Sequence, residues 1–333
     1  MVAELPRAAV RGRIRRGDEG QAMTEKRLFS ILGDSISTFE GCNPEGFRVF
    51  YESERLEATG VLAPQDTWWA QVVGALDGEL LANGSYSGSM VEGAGFPAGN
   101  SAERIAALAR DGQTPDVVLV FVGINDYGWG GADAQAAGRG NALPVCLDAV
   151  ALGEEREPGL APADAAERFG AAYEAMLARM RAAYPRAEIW CCTLCPGRVA
   201  GRGGSTFAYR LRGVHLDAYN AAIRNAAARQ GCRVADVRAL GRDYEGLEGT
   251  HPTARGMRQF AALVLRAMEA ERASGASTVL AERIVEAAMS PAAATDAPPS
   301  AETCEEPSCI GCPHAGATGS QWLLACNRDA RNC

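Results

Sequence analysis

Leu28-Phe29-Ser30-Ile31-Leu32-Gly33-Asp34-Ser35 is a short apolar run halted by a glycine, then an acid, then a hydroxyl. The run predicts a buried strand, and the glycine marks its end. A serine just past such a strand stands at the carboxyl edge of a sheet, where α/β proteins build their sites. A serine hydroxyl is a weak nucleophile until a neighbouring base takes its proton. More than two hundred residues later, Glu248-Gly249-Thr250-His251-Pro252 offers an imidazole with a carboxylate three positions before it. That pair is what such a serine needs as base and orienter. Taken singly, each piece reads equally well as a glycine turn or a surface histidine.

Two further segments lie between them. Asn83-Gly84-Ser85-Tyr86-Ser87-Gly88-Ser89 is a loop of small residues. Val117-Val118-Leu119-Val120-Phe121-Val122-Gly123-Ile124-Asn125-Asp126 is an unbroken apolar strand ending in Gly-Ile-Asn-Asp. The four pieces present Ser, Gly, Asn and His in that order. In this the chain resembles the SGNH (GDSL-type) hydrolase family, whose name lists those residues. Gly33-Asp34-Ser35 matches the first block, Ser87-Gly88 the second, Gly123-Ile124-Asn125-Asp126 the third and Glu248 to His251 the last. The resemblance covers roughly residues 27 to 272.

The resemblance implies an α/β fold: a flavodoxin-like three-layer α/β/α sandwich with a five-stranded parallel sheet. It implies a serine hydrolase that cleaves a small-molecule ester, an acyl or acetyl ester of a carbohydrate or lipid, through an acyl-enzyme. Ser35 would be the nucleophile and His251 the base. The backbone amides of Ser35 and Gly88 and the side chain of Asn125 would form the oxyanion hole. The family pattern has aspartate where this chain has Glu248. Either the glutamate orients the imidazole through one extra methylene, or a backbone carbonyl does so in a Ser-His dyad. No cofactor is implied for the catalysis.

The residue types suit these roles on their own terms. Gly88 lets a ligand approach the backbone without a Cβ. Asn125 ends a buried strand, where an unpartnered amide is costly. The chain has only three histidines. His314 lies among the terminal cysteines, and His215 opens a helix in Val214-His215-Leu216-Asp217 as a cap or surface residue. Asp34 reads as fixing the nucleophile turn, and Asp126 as organising its own loop. Tyr127 and Trp129, just after Asn125, are candidate substrate-binding walls. Arg198, Arg202, Arg210 and Arg212 would favour an anionic substrate if they turn toward the site. Gly84-Ser85-Tyr86-Ser87-Gly88 has tyrosine where the G-x-S-x-G elbow needs serine. The sequence contains no P-loop, dinucleotide fingerprint or H-E-x-x-H pair.

The chain is 333 residues long, 47% hydrophobic and 22% charged, the composition of an ordinary globular protein. Its net charge of −8 argues against nucleic acid as a partner, since phosphate contacts need clustered cations. No apolar stretch approaches the ~20 residues of a membrane span. Arg7, Arg11, Arg13, Arg15 and Arg16 are followed by no apolar h-region, so residues 1–25 read as a disordered leader and the protein as cytoplasmic. Met23, just before the first strand, is a candidate start.

Strand and helix patterns alternate over residues 26–275, the expected hydrolase domain. Strands are expected at 28–32, 80–83, 116–122, 188–194 and 232–237. Helices are expected from Asp66, from a Ser101 cap to about Arg110, over 162–184, over 214–230 and over 253–273. Trp68 and Trp69 read as core. Residues 36–64 read as loop, 128–162 as a lid or substrate loop, and 196–213 as a mobile loop.

Residues 276–303 read as a helix and linker, and 304–333 as a Cys-rich tail. Eleven cysteines are many for a cytosolic enzyme. Cys42, Cys146, Cys191, Cys192, Cys195 and Cys232, in the body, are expected reduced. Cys304, Cys309, Cys312, Cys326 and Cys333 crowd the tail, which is too short to build its own core. They are candidate ligands for a structural zinc, with disulfides, an iron–sulfur site or disorder as alternatives. Two other classes of function stay open: an inactive hydrolase-like binding or regulatory protein with a metal or redox tail, and an acyltransferase. The sequence leaves the oligomeric state unassigned.

Overall fold

The computed structural model describes residues 25–131, 164–199, 209–211 and 214–273, with the backbone alone of 14–15 and 23–24. Seven strands matter to the site: β1 (Arg27–Gly33), β2 (Gly78–Asn83), β3 (Val117–Phe121), β4 (Glu188–Cys192), β5 (Gly197–Val199), β6 (Arg233–Ala235) and β7 (Tyr244–Gly246). Five of them form one sheet in the order β2-β1-β3-β4-β6, and every pairing in it is parallel. The central strand β3 is buried at all of its residues, which is why its sequence is continuously apolar rather than alternating.

The principal helices are α1 (Glu54–Thr59), α2 (Trp68–Ala75), α3 (Ala102–Ala106), α4 (Ile124–Trp129), α5 (Ala165–Ala183), α6 (Leu216–Arg229) and α7 (Ala254–Arg272). They pack in two groups, α2 with α7 and α5 with both α3 and α6, one layer on each face of the sheet. The face of α5 carrying Phe169, Tyr173, Met176, Leu177 and Met180 is buried, as its spacing requires. Thr253 caps α7, its hydroxyl accepting from the Gly256 N–H at 3.1 Å. Trp68 and Trp69 are buried in the core.

Several boundaries differ from the sequence reading. Helix α2 starts from a Thr67 cap rather than Asp66, whose carboxylate instead accepts from the Leu62 and Ala63 N–H groups. Ser101 does cap α3, but the helix ends at Ala106. Residues 214–215 are a short strand, and α6 begins only at Leu216, with His215 as its cap. The stretch read as loop between 36 and 64 contains α1. Within 196–213, residues 197–199 are strand β5, paired parallel with β7. Within the expected disordered leader, Ile14–Arg15 and Met23–Thr24 pair as two short antiparallel strands. The rest of residues 1–24, the linker helix, the Cys-rich tail, Cys146, Arg202, Arg212 and most of the 128–162 loop lie outside the described residues.

Candidate active site

Three neighbouring strand ends open onto the same edge of the sheet. Gly33 of β1 stands opposite Phe121 of β3, and Ile31 opposite Asn83 of β2. Ser35, Asn125 and Gly88 therefore follow their strands within a few residues of a common line.

Ser35 opens a single 3-10 turn, Ser35–Ser37. The Asp34 carboxylate caps this turn by accepting from the Ile36 N–H at 3.1 Å. Burial lifts the Asp34 carboxyl to about 6, opposed by the Ile36 N–H and by His251 and Arg104. Gly33 has no side chain for a steric reason: a Cβ there would fall 2.4 Å from Ser37 Oγ. Ser37 cannot yield that space, because it is held from three sides. Its Oγ accepts from Trp68 Nε1 at 3.2 Å, and its carbonyl accepts from Trp69 Nε1 at 3.0 Å and Asn83 Nδ2 at 2.8 Å. The tryptophan pair thus packs the core and also grips the turn that presents Ser35.

His251 Nε2 lies 2.8 Å from Ser35 Oγ, across 216 positions of sequence. On its other side Nδ1 contacts Glu248 Oε1, which also accepts from the His251 backbone N–H at 2.9 Å. With the proton on Nδ1, the Nε2 lone pair faces the serine hydroxyl. Burial pushes the Glu248 carboxyl up, but the charge and hydrogen bonds of His251 outweigh it and hold the group below the usual glutamate value. The histidine loop is pinned on both flanks: Tyr51 donates its hydroxyl to Pro252 O at 2.9 Å, and Tyr244 to Thr250 O at 2.7 Å. The Phe50 ring lies parallel to the imidazole, 3.6 Å away between centroids and 5° between planes.

Gly88 adopts φ +77, a conformation natural to glycine, and no atom lies within 4 Å of where a Cβ would be. Asn125 sits in the first turn of α4 and is 7% exposed. Its Nδ2 donates to Ser89 O at 3.0 Å, which uses one of two amide hydrogens and ties Asn125 to the residue after Gly88. The Asp126 carboxylate accepts from the Val91 N–H at 2.9 Å and the Glu92 N–H at 3.0 Å, so it holds the loop after Gly88 rather than its own.

Arg104, in the first turn of α3, is fully buried. Its guanidinium donates to Gly84 O at 2.7 Å, Pro97 O at 2.6 Å and Gly33 O at 2.7 Å, joining the ends of β1 and β2. Burial lowers its pKa to about 10, with Asp34 opposing.

Ser35, Glu248 and His251 therefore form one hydrogen-bonded row, with Gly88 and Asn125 at the same sheet edge. Tyr127 is a correction. It is 1% exposed and packs edge-on against Tyr219, so it has no surface to offer a substrate. Trp129 is half-buried, and Arg198 and Arg210 are exposed. His215 accepts from the Asp217 N–H at 3.1 Å, in its role as the cap of α6. The sequence reading missed Phe50, Tyr51, Thr38, Ser37 and Arg104. Cys42, Cys191, Cys192, Cys195 and Cys232 are free thiols. Among the described residues no group of three or more His, Cys, Asp or Glu is gathered as for a metal ion, and no helix is long and apolar enough to cross a membrane.

Residues 31–259 match the GDSL-like Lipase/Acylhydrolase family. Among solved structures, the chain is similar to a protein described as a GDSL-like lipase from Bacteroides ovatus, with 21% identity over 74% of this chain and 99% of that one and a TM-score of 0.46. A second such protein, from Bacteroides uniformis, shares 23% identity over 73% of this chain and 96% of its own, with a TM-score of 0.47. A phospholipase A1 from Streptomyces albidoflavus shares 15% identity over 74% of this chain and 100% of its own, at a TM-score of 0.41. No curated protein matches the chain.

Proposed function

Because the chain belongs to the GDSL-like lipase/acylhydrolase family and is an ester-hydrolysing enzyme, we propose that it works as a serine esterase through an acyl-enzyme. One observation carries the reading: the 2.8 Å approach of Ser35 Oγ to His251 Nε2, with Glu248 on the opposite ring nitrogen. Ser35 Oγ attacks the ester carbonyl while its proton passes to Nε2. Glu248 holds the Nδ1 proton in place and stabilises the imidazolium that forms. The tetrahedral oxyanion takes hydrogen bonds from the Ser35 and Gly88 backbone N–H groups and from the Asn125 amide. The C–O bond to the alcohol then breaks, and the imidazolium returns the proton to the departing oxygen. Water, deprotonated by the same imidazole, attacks the acyl-enzyme; as the bond to Ser35 Oγ breaks, the imidazolium returns the proton to Oγ, releasing the acid and free Ser35. The substrate is a small-molecule ester, an acyl or acetyl ester of a carbohydrate or lipid.

A fluorophosphonate probe tests the nucleophile. The native protein should be labelled, and Ser35→Ala should lose the label together with hydrolysis of short-chain p-nitrophenyl esters. Labelling that survives in Ser35→Ala would refute the assignment. A panel of p-nitrophenyl esters of increasing chain length then separates deacetylase from lipase.

A further inference from the structure

We infer that Phe50 is a positioning residue for the deacylation half of the reaction: its ring, stacked on the imidazole, keeps His251 aligned after Ser35 has been acylated. This rests on the acyl-enzyme reading above. In the free enzyme the imidazole is fixed at both nitrogens, by Ser35 at Nε2 and Glu248 at Nδ1. Acylation removes one of these restraints. An esterified Ser35 Oγ has no proton to donate, so the Nε2 contact that fixed the ring's far edge is lost. A single remaining bond at Nδ1 still allows the ring to swing about it. What then restrains the plane is the parallel face of Phe50 at 3.6 Å.

The ring is well placed to do this, because its own backbone is anchored to both partners. The Phe50 N–H donates to Thr38 Oγ1 at 2.9 Å, and that hydroxyl donates to the Ser35 carbonyl at 2.9 Å. The next residue, Tyr51, reaches the residue after His251 through its hydroxyl, at 2.9 Å from Pro252 O. The guanidinium of Arg55, delivered by helix α1, lies over the Phe50 ring at 4.8 Å from its centroid and braces it. An aromatic face is also negative, which suits the imidazolium that forms as water is deprotonated. Leucine at position 50 would keep the backbone anchors and much of the volume but provide neither flat face nor π charge.

The test is pre-steady-state hydrolysis of p-nitrophenyl acetate by the full-length enzyme and its Phe50→Leu and Phe50→Tyr variants. With Phe50→Leu, kcat and KM should fall together by about tenfold, the worth of a stacked aromatic pair, while kcat/KM, which reports acylation, stays within about threefold. Acyl-enzyme should accumulate, seen as a larger burst of p-nitrophenolate and as mass-labelled Ser35. Phe50→Tyr, which keeps the face, should restore native values. A fall in kcat/KM with no added burst would mean general loosening of the site and would overturn the inference, as would a Phe50→Leu enzyme that is native in every constant. If Phe50→Leu does not fold, Phe50→Tyr and Arg55→Met carry the test: native constants for the first with a larger burst for the second support the inference, and equal bursts in both refute it. Failure of the native enzyme to form any acyl-Ser35 would remove the acyl-enzyme reading, and this inference with it.

Discussion

At the scale of single residues, the row Ser35–His251–Glu248 makes unequal demands on its members. In the mechanism proposed above, His251 moves the proton, and Glu248 orients and neutralises. Glu248 Oε1 accepts from both the ring and the backbone N–H of His251, so the glutamate fixes tautomer and position with one oxygen. His251→Ala should lower kcat by about 10⁵–10⁶ and Glu248→Ala by about 10³–10⁴, the separation seen when a base and its orienter are removed in turn. Steady-state kinetics on a short-chain ester gives both values, and equal losses would refute the subordinate role of the carboxylate. The residues proposed to carry the chemistry could be named from the sequence, because each sits at a strand end or loop marked by glycine. Those that hold them were not. Phe50 meets His251 only because a loop folds back over two hundred positions, and no local spacing records that. Tyr127 misled in the opposite sense: proximity in sequence to Asn125 placed it at the site, but the helical turn after Asn125 sends its ring into the core.

At the scale of elements, β1, β2 and β3 do the assembling, and Arg104 locks their ends. A planar fork that satisfies three carbonyls from separate segments cannot be replaced by the single ammonium of lysine. Gly33 O also accepts from the Tyr86 N–H at 3.2 Å, but Arg104→Lys should leave the carbonyls of Gly84 and Pro97 poorly paired, because a point ammonium does not reproduce the span of the fork. The expected cost is about 2–5 kcal/mol of stability, with activity lost alongside because the Gly33 carbonyl adjoins the nucleophile turn. Thermal unfolding followed by circular dichroism checks this; an unchanged midpoint would contradict it. The core strands and long helices were read nearly to the residue from their periods. The short elements α1, β5 and β7 escaped because their pairing is decided by tertiary contact rather than by any period of their own. Arg104 escaped for a related reason: a charged residue in a first turn is expected to face water, and here the missing partners were backbone carbonyls, which leave no trace in side-chain patterns.

At the scale of the whole molecule, alternation of strand and helix pointed to an α/β fold, and the family resemblance implied its five-stranded parallel sheet. Neither pointed to the packing that buries carboxylates beneath the site, and that packing leaves a mark on stability. Burial lifts Asp126 to about 7 from an ordinary 3.8, against the N–H groups of Glu92 and Val91. Between those values the folded chain holds a proton that the unfolded chain has released. The contribution of this group to stability is therefore complete below about pH 4, declines as the pH rises and is gone above about pH 7. Asp126→Asn has no such dependence, so its melting temperature should drop less between about pH 5 and pH 8 than that of the native protein. Identical slopes would mean the aspartate is ionised throughout. The distance in sequence between Ser35 and His251 has its own outcome. A chain still emerging from the ribosome presents Ser35, and later the Gly88 and Asn125 segments, long before His251 can reach them. On the proposed mechanism, synthesis itself keeps the hydroxyl inert, and the newborn enzyme can cut no ester until nearly all of its catalytic body has been released and has closed.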